Sequence, residues 1–184
     1  MINKQELLRM SKAHADGAED CALLKKEEVG TACDVRQGEE ALLTPLPLLE
    51  TYQHESEGIG GVIAFEEWQT CILNYLPRLA PERVMDMQRH TETDEVFVLL
   101  KGKAILFVAD GRDAPHGELY ATELQHGKAY RVKKNVWHTQ TMSPDGKVLL
   151  VENRNTVVEN SPRCPLSEAQ RHQLQENVAH YWPC

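Results

Sequence analysis

Long apolar runs are missing from this 184-residue chain, and so are runs of like charge. No stretch approaches the roughly 20 consecutive apolar residues of a membrane helix, so no membrane-spanning role is expected. The opening "MINKQELLRMSKAHADGAED" also lacks the apolar stretch of a secretion signal, which predicts a cytoplasmic location. Acidic residues outnumber basic ones, with 28 Asp and Glu against 20 Lys and Arg, and the two signs are mixed along the chain. That pattern leaves no basic footprint for nucleic acid, so no nucleic-acid partner is expected. The five cysteines are scattered and form no C-x-x-C pair, which argues against a disulfide framework or a zinc knuckle; Cys21 and Cys33 could join a metal site, but free thiols are favoured. Cys71 falls inside an apolar strand pattern and reads as a small core residue. No segment repeats.

What is present is a chain of short alternating segments between helical ends. At the N-terminus, Asn3 with Glu6 makes a capping-box pair, and Ile2 with Leu7 occupies the hydrophobic-staple positions. Residues 1–47 therefore read as a helical arm, bounded by Pro45 and Pro47. From 48 to 160 come strand candidates: "GVIAF", "WQTCILNY", "RVMDMQRH", "EVFVLL", "KAILFVA", "GELYATEL", "KAYRV", "VWHTQTM" and "KVLLVEN". Turn signals such as Lys101-Gly102, Asp110-Gly111 and Asp145-Gly146 separate them. No helix-length segment lies between the strands, so a parallel βαβ sheet is excluded and an all-β sandwich or barrel is predicted. Over 161–184, Ser167 and Gln170 cap a second helix whose narrow apolar stripe is Leu174, Val178 and Tyr181. It should pack on the barrel exterior or on a second subunit.

Strand alternation selects the candidate site residues. In "VMDMQRH", Val84, Asp86, Gln88 and His90 share one face, with Met85, Met87 and Arg89 on the other. On the next strand Glu95, Phe97 and Leu99 share a face. In "NVWHTQ", His138 lies with Val136 and Gln140, opposite Trp137. His90, Glu95 and His138 are either ordinary polar strand ends or inward-facing groups that hold something. Asp86, Gln140 and Tyr75 are candidates for ligand contact, Trp68 for the pocket or the core, and Trp137 for packing. His14, His54, His116, His126, His172 and His180 fall in helices or turns and are expected to meet solvent.

The segment "H90-TETD-E95-VFVLLK-G102" resembles the first motif of the cupin family from its second His through Glu to the closing Gly. Gln88 stands at the motif's first His and Glu82 at its leading Gly. The segment "G127-KAYRV-KKN-VW-H138" is similar to the second motif in its Gly and His. There Lys133 replaces Pro, Asn135 replaces Gly and Met142 replaces the final Asn. Asn enters the left-handed backbone region more readily than most residues, so Asn135 is a tolerable exchange. The resemblance spans about residues 60–155. It implies a cupin-type jelly-roll barrel, also called a double-stranded β-helix, at 48–160.

It also implies a divalent metal held by His90, Glu95 and His138, with Gln88 at the fourth position. Two histidines and a carboxylate suit Fe as well as Mn, Ni or Zn. A triad with one formal negative charge leaves a divalent site positive, which favours a carboxylate or hydroxy-keto ligand. The expected function is a small-molecule metalloenzyme, an oxygenase, isomerase or lyase acting on an oxygen-rich metabolite such as a hydroxy-keto acid or a sugar derivative. The alternatives are a non-catalytic binding or sensing protein on the same pocket, and a barrel whose site has decayed. A homodimer is the expected assembly, through the last helix or the "LLTPLPLLE" segment.

Overall fold

The computed structural model describes Leu42–Leu43 and residues 48–183. The helical arm expected over 1–47 lies, but for Leu42–Leu43, outside the described residues. Within them the chain runs as β1 (Leu42–Leu43), β2 (Glu50–Thr51), β3 (Gly58–Phe65), β4 (Trp68–Asn74), β5 (Asp86–Gln88) and β6 (Glu95–Lys101). It continues as β7 (Ala104–Asp110), β8 (His116–Glu123), β9 (Ala129–Val132), β10 (Trp137–Met142), β11 (Lys147–Asn153), β12 (Arg163–Pro165) and helix α1 (Glu168–Tyr181). Two antiparallel five-stranded sheets result, in the orders β12-β5-β10-β7-β8 and β3-β4-β11-β6-β9. Consecutive strands repeatedly fall in opposite sheets, the crossing pattern of a jelly roll. Short β1 and β2 form a separate pair.

The alternation read from the sequence decides which side chains enter the core. Leu73, Phe97, Leu99, Val148 and Leu150 of one sheet meet Ala104, Leu106 and Met142 of the other in the space between them. Strand β7 is buried along most of its length because both of its faces are covered. Its opposite face, with Ile105, Phe107 and Ala109, joins Trp137, Met87 and Leu119 in a second cluster beneath α1. The helix is begun by the expected Ser167–Gln170 capping box, and it lays Leu174, Val178 and Tyr181 on its own sheet. Trp137 is fully buried there, and its Nε1 donates to Gly111 O at 3.1 Å. No helix among the described residues is long and apolar enough to cross a membrane.

Five local expectations need correction. The expected strand over residues 83–90 shrinks to Asp86–Gln88, because two consecutive 3-10 turns, Pro77–Leu79 and Pro81–Arg83, occupy the chain before it. Strand β12 falls in a segment that carries no alternation and was expected to lead only into helix; it exists because β5 offers it a partner, with Arg163 opposite Gln88. His54 is buried rather than solvated, because Gly60 leaves it room: a Cβ on Gly60 would lie 2.4 Å from His54 Nδ1. Cys71 is a core residue as expected, but it is disulfide-bonded rather than a free thiol. Trp68, a candidate for pocket or core, is in neither; it is exposed and tilts against Phe65.

The side chain of Leu174 has no exposed surface and fills the space between α1 and the sheet. Leu174→Ala should lower unfolding free energy by about 2–5 kcal/mol, read from the urea midpoint at unchanged slope.

Candidate metal centre

Three neighbouring strands set the first half of the site. In β12, β5 and β10, Arg163 stands opposite Gln88, and Gln88 stands opposite His138. Side chains opposite one another in a ladder share a face, so all three project toward the same end of the barrel. The other sheet supplies Glu95 at the start of β6 and Glu152 on β11. Glu152 lies opposite Gln69 of β4, and one step past the last registered pair of β11 with β6 it stands beside Glu95.

His90 lies in the loop after β5, and that loop is tied down at several points. Thr91 N donates to Asn160 O at 2.9 Å and Arg89 N to Pro162 O at 3.1 Å. Lys134 N donates to Asp94 Oδ1 at 2.8 Å, and Asn135 N to His90 O at 2.8 Å. Asn135 takes a φ of 67°, the left-handed conformation for which Asn substitutes best after Gly. The departure from the motif at Asn135 thus keeps the backbone the turn needs, and that turn hands the chain to β10 with His138 pointing inward.

Glu95 Oε2 is the meeting point. It lies 2.9 Å from His138 Nε2 and 3.2 Å from His90 Nε2, and all three residues are buried. Their ligand-type atoms lie within 4.8 Å of one another. The other ring nitrogens are already engaged. His138 Nδ1 lies 3.0 Å from the carbonyl of Val136, a group that can only accept, so Nδ1 carries the proton. His90 Nδ1 lies 2.8 Å from Ser161 Oγ, whose own hydrogen goes to Asn160 Oδ1 at 3.2 Å, so Nδ1 again donates. In the neutral rings both Nε2 lone pairs then face the same carboxylate oxygen. Three acceptors converging in a buried space require either an extra proton or a cation, and two imidazoles with one carboxylate suit a divalent metal. The residues present fit such an ion.

The two carboxylates sit in contrasting environments. Burial opposes ionisation of Glu95, but the contacts with His138 and His90 outweigh it and hold its carboxyl well below the usual range. Glu152 is pushed up to about 7, first by burial and then by the charge of Glu95, against smaller opposing effects from Gln69 and His90. Gln69 Nε2 donates to Glu152 Oε1 at 2.9 Å, while Glu152 Oε2 faces His90 Nε2 at 3.9 Å. One carboxylate is thereby kept charged beside the histidines, and its neighbour is a proton-holding group near neutrality.

The remaining candidates separate by position. Gln88 Oε1 accepts from Arg163 Nη1 at 2.8 Å, which turns its amide nitrogen toward His138 Nε2 at 3.5 Å. Gln88 thus presents an N–H to the site and commits its oxygen elsewhere. Asp86 is bonded to Arg163 Nη2. Gln140 lines a cavity of about 30 Å3 together with Gln88, His90, Glu95, Glu152 and Arg78. Tyr75 packs on the inner core cluster. His116, His126, His172 and His180 are exposed, as expected.

Sequence reading missed Glu152, Gln69, Ser161, Arg163 and Arg78. A signal existed for Glu152, since "KVLLVEN" alternates Val148, Leu150 and Glu152 onto the core face. None existed for Arg163, whose strand forms only by pairing.

No family model matches the sequence, and no curated protein matches it. Among solved structures the chain is similar to a cupin-2 domain containing protein from Shewanella frigidimarina, at 21% identity over 56% of this chain and 85% of that one, TM-score 0.40. It is also similar to KdgF from Halomonas, at 13% identity over 56% of this chain and 86% of that one, TM-score 0.40. FeII HppE aligns at 13% identity over 52% of this chain and 49% of that one, TM-score 0.41. None of these likenesses assigns a reaction to this chain.

The raised position of Glu152 has a consequence for stability. Between its ordinary value of 4.5 and about 7 the folded protein holds a proton that the unfolded chain releases, so stability falls as pH rises through that window. In metal-free protein, Glu152→Gln should be more stable than wild type at pH 8, by on the order of 1–3 kcal/mol, and nearly equal to it at pH 5. Denaturant unfolding at the two pH values checks this.

Proposed function

We propose that this protein of cupin fold holds a divalent metal at His90, Glu95 and His138 and acts as a small-molecule metalloenzyme on an oxygen-rich metabolite. The observation that carries the reading is the convergence of both imidazole Nε2 atoms on one oxygen of buried Glu95. A bound divalent cation would supply Lewis acidity to a carbonyl, hydroxyl or carboxylate oxygen of the ligand.

The chain's own residues do the rest. Val136 O and Ser161 Oγ hold the imidazoles in the tautomer that presents Nε2, and burial of all three ligands excludes bulk water. Gln88, fixed by Arg163, offers an N–H donor to an oxygen beside His138. Glu152, next to the same space and protonated near neutrality, is placed to give or accept a proton on the ligand. Carbonyl and enolate chemistry, which moves a proton between carbon and oxygen, uses these groups directly.

His138→Ala should remove the bound metal and with it any turnover, whereas Gln88→Ala should keep the metal and alter turnover. Elemental analysis of protein purified without added metal, beside a metabolite panel on the reconstituted protein, gives both readings. Unchanged metal in the His138 variant refutes the site. Metal-dependent binding without turnover of any compound would mark a binding or sensing protein instead.

The assembly belonging to this reading is a homodimer. The apolar side of α1 is taken by its own sheet, which leaves the "LLTPLPLLE" segment, where Leu48 and Leu49 are 92% and 63% exposed. Light scattering should return twice the chain mass at micromolar concentration; a monomer mass excludes the dimer.

A further inference from the structure

Among the charged residues described as lining the cavity, Arg78 is the one that the metal reading does not use. It occupies the middle of the 3-10 turn Pro77–Leu79. That turn is pinned on its far side, where Leu79 is buried and its carbonyl accepts from Thr141 Oγ1 at 2.7 Å. With Leu79 fixed in the core, the preceding side chain is directed into the cavity it shares with His90, Glu95, Glu152 and Gln140. Ile59, Leu73 and Leu150 form the apolar part of the lining.

The guanidinium brings five N–H donors to this space, and among the described residues it makes no hydrogen bond or ion pair. Asp86, the acid whose charge favours the Arg78 cation, is itself bonded to Arg163. Burial and the neighbouring charge of Arg163 both disfavour the cation, with only Asp86 acting the other way. A half-buried cation beside a second cation, without its own acceptor, is costly unless an anion arrives. The planar fork of Arg matches a carboxylate in two parallel bonds, a recognition that a point charge does not reproduce. Net charge points the same way. A divalent ion on Glu95 and two neutral histidines leaves one positive charge, and Arg78 adds another.

We propose that Arg78 anchors the carboxylate of a small acid whose remaining oxygen reaches the His90–Glu95–His138 group. The inference rests on the metal reading for the second contact, and it deepens that reading by naming the ligand class. The cavity is small, about 30 Å3 or room for one or two waters, so small acids are the class to test. Arg78 is thus a specificity-determining residue: it selects an acid over the neutral molecule of the same shape.

Calorimetric titration of the full chain loaded with Mn(II) tests this with pyruvate and glycolate against pyruvamide and glycolamide. The acids should bind at least about 10-fold more tightly than the amides. Arg78→Leu should weaken the acids by about 10- to 100-fold, leave the amides unchanged and retain full Mn(II) stoichiometry. Arg78→Lys, which keeps the charge and loses the fork, should fall between. Equal binding of acids and amides by the wild type, no binding of either acid, or undiminished acid affinity in Arg78→Leu overturns the proposal. If the protein takes up no Mn(II), it is the metal reading that fails. The same acid–amide pairs on metal-free wild type and Arg78→Leu then judge Arg78 alone, with loss of discrimination in the variant expected and its persistence overturning the role.

Discussion

A single carboxylate oxygen organises the interior end of this barrel. Glu95 Oε2 receives two imidazoles, one from the loop after β5 and one from β10, and every participant is buried. Buried groups of this kind are tolerated only when their partners are oriented, and the orientation is spread widely through the chain. Val136 O sets His138, Ser161 Oγ sets His90, and the loop hydrogen bonds from Thr91, Lys134 and Asn135 hold the backbone on both sides. The Val158–Asn160 turn and strand β12 therefore belong to the site as much as the ligand-bearing strands do.

Two clusters hold the frame in which that geometry persists. The inner one fills the space between the sheets below the site, and the outer one seals α1 onto the sheet bearing His138. Strand β10 divides its side chains between them: His138, Gln140 and Met142 face the interior, while Trp137 is locked under the helix. A packed outer face keeps the inner face from shifting, because core packing tolerates little displacement. The helix thus supports the site without contributing a residue to it.

Polarity in the cavity is graded rather than uniform. The histidine pair and charged Glu95 lie at one end, Glu152 with its raised proton affinity lies beside them, and Arg78 faces the same space. Gln88 and Asp86 are held by Arg163, so the two arginines of this region have different employment: one braces the wall and the other faces the cavity. Environments that push neighbouring titratable groups apart are the usual means by which one pocket supplies both a charged ligand and a proton-holding group at a single pH.

The sequence by itself determined the sheet-forming segments, the inward face of each and the trio His90, Glu95 and His138, because period-two alternation and motif spacing are local properties of the chain. It also determined the start of α1, through the Ser167–Gln170 cap, and the tolerance of Asn135 in a left-handed turn. Tertiary structure alone decided what lies opposite what. Arg163 reaches Gln88 and Asp86 across a strand pair that carries no pattern of its own, and Gln69 meets Glu152 across 83 residues of chain. The burial of His54 against Gly60 and the turn that aims Arg78 at the cavity were equally invisible, since both depend on space left by distant segments. A residue's periodic position tells which way it points; only the assembled barrel tells what it will find there.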